Sequence, residues 1–480
     1  MKSCVYKSGV TKIQAAIISI IIIVAIIAGV AYYYMVPTPT PTTPPPKTPT
    51  PATPTPATPT PTTPTPATPT PTAPQNIKIG WPVPLTGPLA GFGEAAPWVA
   101  GQFEDYVNNV MGGVYLAEYG KKIPIKIIMR DTKSDADLAA TIAAELITKD
   151  NVDFMLALYS PAMTNPISAQ CEKYKVPCIA SQTILLSWLM GAPYEWAYCI
   201  GLAEPDYAVL YFDLFDSAGT QINKVVAMIN ADDPDGRAFG EAILNVGKAR
   251  GYTIIDSGLV PYGTLDYSAY INQWKTANAH VLTGNMLATD FAALWRQCNE
   301  LGYRPKIVAF SRALLFPSWV EAIGGDLPNG LISYTWWSPQ YPYKSSITGQ
   351  TTRQLCDAWE KYSGRQWTPV LGLTHAVLEV AVDAIGRAGN LDKTKIRNAL
   401  AETNLNTIVG VVNFKAPLTS QQKARYSPFP ELSQYKDHYV VVTPVAVQWV
   451  KGTKWPWEMQ VIYNWETPEI PETAEMFLLS

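Results

Sequence analysis

Short apolar runs alternate with longer amphipathic segments along most of the chain from Ile77 onward. Runs such as IKIGW, IPIKIIM, DFMLAL, PCIAS, YCIGL, KVVAMIN and KIVAF have the length and apolar content of buried strands. Segments between them, such as SDADLAATIAAELITKD and TDFAALWRQCNELG, carry apolar residues at helical spacing. This alternation predicts an α/β fold with parallel sheets built from βαβ units. The strands exceed the ~10 that one open sheet holds comfortably, so we expect two αβα lobes.

The alternation of predicted strands and helices changes after Leu331. Two long helices are predicted at about 349–363 and 371–388, followed by GVVNF and a Trp-rich run of strands. The last residues of the chain are more irregular, and no element is assigned to them. In open α/β sheets ligands bind beyond the carboxyl ends of the strands, so a cleft between two lobes would gather such ends from both sides.

The N-terminal region has a different pattern. Residues 13–36 carry no charge after Lys12, and at ~1.5 Å per residue they are long enough to cross a ~30 Å hydrocarbon core. Lysines precede the run within residues 1–12, and tyrosines lie at its far end, which places the N-terminus in the cytoplasm. The sequence therefore predicts a transmembrane helix at 13–36 that anchors the rest of the chain at the outer face.

Residues 37–75 form a low-complexity segment. Up to Pro74 it contains only proline, threonine, four alanines and one lysine, in loose TPTPA repeats. Such a composition favours extended polyproline II, a semi-rigid stalk on the order of 100 Å long. Its dense threonines make it a candidate for O-glycosylation.

The segment KSGVTKIQ before the apolar run resembles the processing region of archaeal class III signal peptides. In that group the peptidase cuts ahead of the apolar helix and leaves it on the mature protein. The resemblance implies a cut after Gly9, and a plain anchor predicts the same topology.

Composition narrows the function classes. Charged residues make up 16% of the chain and the net charge is −3, with no basic patch in the globular part, which disfavours nucleic acid as a partner. None of the six cysteines forms a CxxC pair, so the sequence predicts no metal site. Outside the cell, pairing among Cys171, Cys178 and Cys199 is one expectation, and buried free thiols are the other.

Enzymatic and nucleotide-binding motifs are weak. Gly91-Phe92-Gly93 with Ala96 follows the first strand, but the acidic residue a dinucleotide site needs, Asp131, lies too far along the chain. His375 lies on an apolar helix face, and the chain has only three histidines for acid–base work near neutral pH. We therefore predict a protein that is not an enzyme and has no cofactor.

Polar residues at predicted strand ends and helix starts are the strongest candidates for a site. They are Ser160, Thr164, Ser181, Thr183, Asp206 and Asp290. Each is an ordinary helix N-cap by itself. As a group, hydroxyls with helix N-terminal N–H groups suit a carboxylate, and a facing carboxylate such as Asp290 suits an ammonium. A free amino acid presents both.

Several segments resemble one family in chain order. IKIGWPVPLTGPLAGFGEAAPWVAGQFEDYVN is followed by DFMLALYSPAMTNPISAQCEKYKVPCIAS, DDPDGRAFGEAI, LDYSAYINQWKTANAHVLTGN, WRQCNELGYRPKIVAF and AIGGDLPNGLISY. Together they resemble the branched-chain amino-acid (Leu/Ile/Val) binding proteins of ABC transporters over nearly all of 76–415. The resemblance implies a type I periplasmic-binding fold, with two lobes joined by three crossovers that close on a small solute.

The resemblance also implies site residues. Ser160 matches the hydroxyl after the third strand, and Ser181 with Thr183 matches the pair that holds the amino-acid head group. Asp290, counted back from Trp295, matches the acidic residue that faces the ammonium. Phe92 falls where an aromatic ring covers the ligand.

Departures from the family pattern affect the identity of the ligand more than its class. Asp235 stands where the family has a tyrosine, and Ile200 replaces a common arginine. Trp336, with Trp337 beside it, ends a strand near the expected cleft and would shift preference toward aromatic or amide solutes. A structural role fits these tryptophans equally well.

The resulting expectation is an extracellular solute receptor of an ABC importer, delivering an amino acid or related amide or carboxylate to a membrane permease. Its ligand-binding domain spans 76–480, with lobe 1 at about 76–202 and 312–415 and lobe 2 at about 203–311 and 416–480. Alternatives are a ligand-sensing ectodomain and a pilin-like or surface-layer subunit.

Overall fold

The computed structural model describes residues 72–480. The predicted membrane helix at 13–36, the predicted cut after Gly9 and nearly all of the stalk lie outside the described residues. Among the helices of 72–480, none is both long enough and apolar enough to cross a bilayer.

The described region alternates strands and helices, as the apolar pattern predicts. The strands are β1 (Ile77–Val83), β2 (Val114–Leu116), β3 (Lys121–Ile123), β4 (Ile125–Asp131), β5 (Phe154–Leu158), β6 (Cys178–Ile184), β7 (Ala197–Leu202), β8 (Val225–Ala231), β9 (Thr253–Val260), β10 (Val281–Asn285), β11 (Ile307–Phe310), β12 (Ile332–Thr335), β13 (Asn404–Thr407), β14 (Gly410–Asn413), β15 (Tyr439–Val441), β16 (Val445–Lys451) and β17 (Trp457–Tyr463). The α-helices are Ala90–Gly93, Ala96–Asp105, Ala136–Thr148, Pro161–Tyr174, Leu185–Leu189, Glu204–Ser217, Pro234–Ala249, Ser268–Thr276, Ala288–Glu300, Pro317–Glu321, Thr352–Ser363, Val370–Ala388, Lys393–Ala401, Ser420–Tyr426 and Pro430–Gln434.

The first lobe is built on a six-stranded sheet in the order β15-β7-β6-β5-β1-β4. Its neighbouring strands are parallel, and β1 pairs with β4 from Ile77 opposite Ile125 to Val83 opposite Asp131. Parallel sheets are covered by helices on both faces, so their central strands read as continuous apolar runs. β5, with the sequence FMLAL, is accordingly buried along its whole length.

The second lobe is built on a seven-stranded sheet in the order β17-β16-β12-β11-β10-β8-β9. The strands from β12 to β9 are parallel, whereas β16 runs antiparallel to both β12 and β17. The Trp-rich C-terminal run therefore adds an antiparallel hairpin to one edge of this sheet.

The chain passes between the two sheets after β7, after β12 and after β15. The structure corrects the predicted lobe boundaries in two places. β12, in the segment assigned to lobe 1, pairs with β11 through Ala309 and Ile332, and β15, assigned to lobe 2, pairs with β7. An apolar run has the same pattern in either sheet, so the sequence did not reveal which sheet each strand joins.

Local signals set the helix ends. The carboxylates of Asp135 and Asp233 cap their helices by accepting from Leu138 N at 2.7 Å and Gly236 N at 2.6 Å. The predicted helix at about 349–363 begins with a capping box at Thr351 and ends at Gly364 in the left-handed conformation. These caps satisfy backbone groups that the helix termini leave unpaired.

The five cysteines between residues 72 and 480 are buried free thiols. This finding favours the second of the two expectations for Cys171, Cys178 and Cys199. Burial raises the pKa of the Cys178 thiol well above its ordinary value, and the neighbouring Cys171 raises it further. Burial does the same to the pKa of Cys199, so both are held as neutral thiols.

Candidate functional site

The carboxyl ends of β5 and β6 carry an unusual backbone. Tyr159 and Ser160 follow β5 with φ angles of 78° and 72°, and Gln182 within β6 has a φ of 53°. Two hydrogen bonds hold the strand ends together, from Tyr159 N to Ser181 O at 3.2 Å and from Ser160 N to Gln182 O at 2.9 Å. Left-handed backbone at non-glycine residues is costly and tends to cluster at ligand-binding sites.

Ser160 and Gln182 line a small cavity between the lobes. Its volume is about 20 Å³, roughly the space that one water molecule needs. The first lobe lines it with Phe92, Ser160, Pro161, Gln182, Thr183, Ile184 and Leu202, and the second with Asp235, Ser311, Arg312, Leu315, Tyr334 and Trp336. The structure thus brings together five of the residues predicted from the sequence, namely Phe92, Ser160, Thr183, Asp235 and Trp336.

The first lobe contributes the hydroxyl groups of Ser160 and Thr183. Ser160 stands directly before the helix Pro161–Tyr174, and its carbonyl accepts from Met163 N at 3.0 Å and Thr164 N at 2.9 Å. The Thr164 hydroxyl donates to the hydroxyl of Thr183 at 3.2 Å. Thr164 thus lies in the first turn of this helix, and Ser160 and Thr183 both line the cavity.

The second lobe contributes charge. Arg312 follows β11 and is 2% exposed, and its Nη1 lies 2.7 Å from Asp233 and 3.4 Å from Asp235. Burial raises the pKa of Asp235 to about 6, although Arg312 lowers it. Burial would lower the pKa of Arg312, but Asp235 and Asp233 together raise it above its ordinary value. The two carboxylates leave this cluster with one excess negative charge near neutral pH.

A further buried carboxylate lies close to the cleft. Glu204 accepts from Leu186 N at 2.9 Å and Ser187 N at 3.1 Å, and burial raises its pKa to about 8. The Ser187 hydroxyl then donates to Pro234 O at 3.1 Å. Because Ser187 belongs to the first lobe and Pro234 to the second, this contact holds the lobes together beside the cavity.

Aromatic rings cover the cavity. Phe92 packs edge-on against Phe316, with ring centroids 4.8 Å apart, and against Trp319 at 5.8 Å. These contacts also cross between the lobes, because Phe92 lies in the helix Ala90–Gly93 of lobe 1 and the other two rings follow β11. The Trp336 indole lines the cavity while its Nε1 donates to Pro369 O at 3.1 Å. Trp337 is fully buried and donates to Ile408 O at 3.0 Å, which is a structural role.

Three predicted site residues lie elsewhere. The Ser181 hydroxyl donates to Ile200 O at 2.8 Å inside the first sheet. Asp206 accepts from Arg425 Nε at 2.9 Å and from the Tyr426 hydroxyl at 2.7 Å. Neither residue lines the cavity, and the same is true of the third, Asp290.

Asp290 is the third predicted site residue outside the cavity lining. It lies in the first turn of the helix Ala288–Glu300, and its carboxylate accepts from Gly263 N at 3.2 and 3.3 Å within the second lobe. A count back from Trp295 placed it in the first turn of this helix, and it is not among the residues that line the cavity.

Gln182 and Arg312 were missed by sequence reasoning. Both obey the rule that ligand contacts follow strand ends, because Arg312 comes two residues after β11 and Gln182 stands between Ser181 and Thr183. Applying that rule to every strand would have included them.

A larger open groove of about 550 Å³ lies on the second lobe. It is lined by Trp295, Asn299, Arg304, Lys451 and the C-terminal residues, among others. No strand end of the first lobe is among the residues that line this groove, so the small interlobe cavity is the better candidate for a site formed by two lobes.

Known proteins share this architecture and sequence. Leu/Ile/Val-binding protein homolog 7 of Brucella suis is 24% identical over 343 residues, covering 69% of this chain and 82% of that protein. The leucine binding protein LivK of Thermotoga maritima has a TM-score of 0.65 and 18% identity, covering 81% of this chain and 99% of that one. LivJ of Streptococcus pneumoniae, solved in complex with isoleucine, has a TM-score of 0.62 and 15% identity, covering 84% and 100%.

A protein-family model described as periplasmic binding protein matches residues 76–426 of the chain. That match includes every cavity-lining residue and strands of both lobes. The family resemblance of the sequence is confirmed, and so is the type I fold that it implied. The chain belongs to the periplasmic binding protein family, whose members are ligand-binding receptors.

Proposed function

We propose that this protein is the extracellular receptor of an ABC importer and that it captures a small amino acid between its lobes. The observation that carries the proposal is the interlobe cavity, which combines hydroxyls from one lobe with a charged cluster from the other. Membership of the family supports the receptor role, and the relatives named for leucine and isoleucine support the solute class.

The chemistry of the cavity suits a zwitterion. Ser160 and Thr183 offer hydroxyl donors to a carboxylate, and Asp235 offers a buried negative charge to an ammonium group. Phe92, Ile184, Leu202 and Leu315 supply apolar surface for a side chain. Asp235 thereby takes the role that the sequence had suggested for Asp290.

Lobe closure is the binding step in this proposal. The described arrangement has the lobes in contact through Ser187 with Pro234 and through Phe92 with Phe316 and Trp319. The cavity of about 20 Å³ is too small for an amino acid, so the lobes must part or the cavity side chains must move before a solute enters. A ligand that bridges both lobes then favours the closed state.

Delivery requires the protein to stay near its permease. The apolar run at 13–36 provides the membrane anchor in this proposal, and the stalk at 37–75 provides reach beyond the bilayer. Every described residue that lines the cavity lies between Phe92 and Trp336, so removing residues 1–75 should leave affinity unchanged and abolish uptake in cells.

A thermal-shift screen tests the proposal. The full chain in detergent and the fragment 76–480 are each heated with common amino acids, their amides and small carboxylates. A true ligand at ~100 times its Kd adds ~2.7 kcal/mol of stability. Absence of a shift with every compound would contradict the receptor proposal, and a shift in the full chain alone would assign part of the site to residues 1–75.

A further inference from the structure

A second pocket with walls from both lobes shares no lining residue with the small cavity. Its volume is about 210 Å³, several times the space that one water molecule needs. The helix Val370–Ala388, which follows Gln366, packs on β6 of the first sheet, and Trp455 lies between β16 and β17 of the second. The polar lining residues are Glu94, Arg365 and Gln366 from the first lobe and Ser318, Glu321 and Trp455 from the second.

Two buried polar atoms of these lining residues lack partners. Within residues 72–480, neither Gln366 Oε1 nor Trp455 Nε1 forms a hydrogen bond. Gln366 is 7% exposed, so its amide oxygen has lost contact with bulk water without gaining a donor. Burying a polar group without a partner is costly. An acceptor from one lobe and a donor from the other at one pocket therefore indicate a ligand that pairs with both.

The charged residues of the pocket leave one carboxylate in excess. Glu94 Oε2 pairs with Arg365 Nη2 at 2.8 Å inside the first lobe. Glu321 is exposed and lines the pocket from the second lobe. Burial raises the pKa of Glu94, Arg365 lowers it, and the carboxylate of Glu321 raises it. The two carboxylates are thus close enough to repel each other, and with all three residues ionised the lining carries a net charge of −1.

Lys454 does not supply the missing positive charge. It precedes Trp455 in the chain, and its Nζ pairs with Glu360 of the first lobe at 2.5 Å. The same Nζ lies 5.3 Å from the centroid of the Trp455 ring. Neither Lys454 nor Glu360 lines the pocket, so this ion pair crosses between the lobes beside it. The charge that would balance Glu321 must therefore come from a ligand.

We propose that this pocket binds a small organic cation that carries an acceptor oxygen. Its ammonium group donates to Glu321 and to Gln366 Oε1, and its oxygen accepts from Trp455 Nε1. A bare metal ion would balance the carboxylate but would leave the indole N–H unpaired, because an N–H group cannot coordinate a cation. This site goes beyond the proposed solute cavity. Since its walls belong to both lobes, a bound cation favours the arrangement in which they are in contact.

Calorimetry on the full chain in detergent tests the proposal with ethanolamine and glycinamide. Both carry an ammonium group and an oxygen. Methylammonium is the matched probe, because it has the ammonium group without the oxygen. We expect methylammonium to bind about fivefold more weakly than ethanolamine, which corresponds to one hydrogen bond. Equal affinity for these two amines, or no binding of ethanolamine and glycinamide, would overturn the proposal.

Two variants test the residues that hold the cation. Glu321→Gln removes an exposed charge and should weaken ethanolamine binding by about fivefold. Glu300→Gln is the matched control, because Glu300 is an exposed glutamate of the same lobe outside the pocket. Trp455→Phe keeps an aromatic ring without the N–H group, so it should weaken binding of ethanolamine and leave that of methylammonium unchanged. Equal ethanolamine affinity in Glu321→Gln and in the unaltered protein would overturn the assignment.

Hydrogen exchange followed by mass spectrometry locates the bound amine without any variant. Ethanolamine should slow amide exchange in three segments, 318–322, 364–368 and 454–458, which come from both lobes. The two spaces are separated by this measurement, because an amine in the small cavity would instead protect the segments that follow β5 and β11. Protection confined to those segments, or to one lobe, would overturn the proposal. If Trp455→Phe fails to fold, the comparison of ethanolamine with methylammonium tests the indole contact.

Discussion

Two buried clusters of aspartate and arginine in this protein differ in how completely their atoms are paired. The hinge cluster consists of Asp206, Arg425, Tyr426 and Glu466. Both oxygens of Asp206 accept hydrogen bonds, from Arg425 Nε at 2.9 Å and from Tyr426 at 2.7 Å. Arg425 also binds Glu466 through both Nη atoms, at 2.6 and 3.0 Å. All three nitrogens of Arg425 are thus engaged.

The cleft cluster consists of Asp233, Asp235 and Arg312, and it leaves Arg312 Nη2 unpaired within residues 72–480. Burial raises the pKa of Asp206 and the pKa of Asp235 alike, to about 6. A shifted pKa therefore does not distinguish a structural cluster from a ligand-binding one. What distinguishes them is the unpaired donor beside a cavity.

The largest expected effect comes from breaking the hinge cluster. Arg425→Ala leaves Asp206 buried without a counter-ion, which should lower the free energy of unfolding by about 3–5 kcal/mol. Chemical denaturation followed by tryptophan fluorescence measures this change. Ligand affinity of the folded fraction should stay within about twofold, because no atom of this cluster lines the cavity. A large loss of affinity with normal stability would contradict the structural role.

The cleft cluster should respond in the opposite way. Asp235→Asn keeps the shape of the side chain but removes the charge proposed for the ammonium, so affinity should fall by roughly 2–5 kcal/mol. Asp233 still pairs with Arg312, so the stability change should be smaller than for Arg425→Ala.

Asp290→Asn is the matched control for this variant. Asp290 is equally buried in the same lobe but accepts from Gly263 N and lies outside the cavity. Calorimetry on both variants shows whether Asp235 or Asp290 pairs with the ammonium group. If affinity falls in Asp290→Asn and not in Asp235→Asn, the ammonium belongs to Asp290 after all.

Affinity should depend on pH through Asp235. With its pKa raised to about 6, this carboxyl is mostly protonated at pH 5 and mostly ionised at pH 7. Only the ionised form pairs with an ammonium, so affinity should rise by about tenfold from pH 5 to pH 7. Asp233, Arg312 and Glu204 also face this group, and Glu204 has a pKa of about 8. Calorimetry at three pH values on the unaltered protein and on Asp235→Asn measures the part of the pH dependence that comes from Asp235. This part should be absent in the variant.

The smallest expected effect separates two serines that the sequence grouped together. Ser160→Ala removes a hydroxyl from the cavity and should weaken binding by about 1 kcal/mol. Ser181→Ala removes the hydrogen bond to Ile200 O and should reduce stability by a similar amount without changing affinity. Affinity and stability are measured on both variants. The loss of affinity should appear in Ser160→Ala, and Ser181→Ala should lose stability with its affinity unchanged. A binding defect in Ser181→Ala would place that serine in the site.

The alternation of strands and helices was predictable because burial on both faces makes each parallel strand a continuous apolar run. The helices at 352–363 and 370–388 match their predicted positions to within about three residues, since caps and apolar spacing are local signals. The lobe that β12 and β15 join was not predictable, because an apolar run has the same pattern in either sheet.

The site was predicted only where position along a strand was sufficient. Ser160 and Thr183 follow or end neighbouring strands of one sheet, so their proximity followed from topology. Asp290 lies in the predicted helix but is not among the cavity-lining residues. Successive residues of a helix point about 100° apart, and the sequence does not show which face of this helix meets the cavity.

The sequence by itself determined the α/β class, the family, the apolar run at 13–36 and the stalk composition at 37–75, because these depend on local pattern or composition. Only the tertiary structure decided that Arg312 and Gln182 meet at one cavity with unpaired atoms. The two residues are 130 positions apart and lie in different lobes, Gln182 within β6 and Arg312 just after β11. Whether a buried polar atom has a partner depends on every neighbour in space, and the pattern of residues along one strand contains no record of those neighbours.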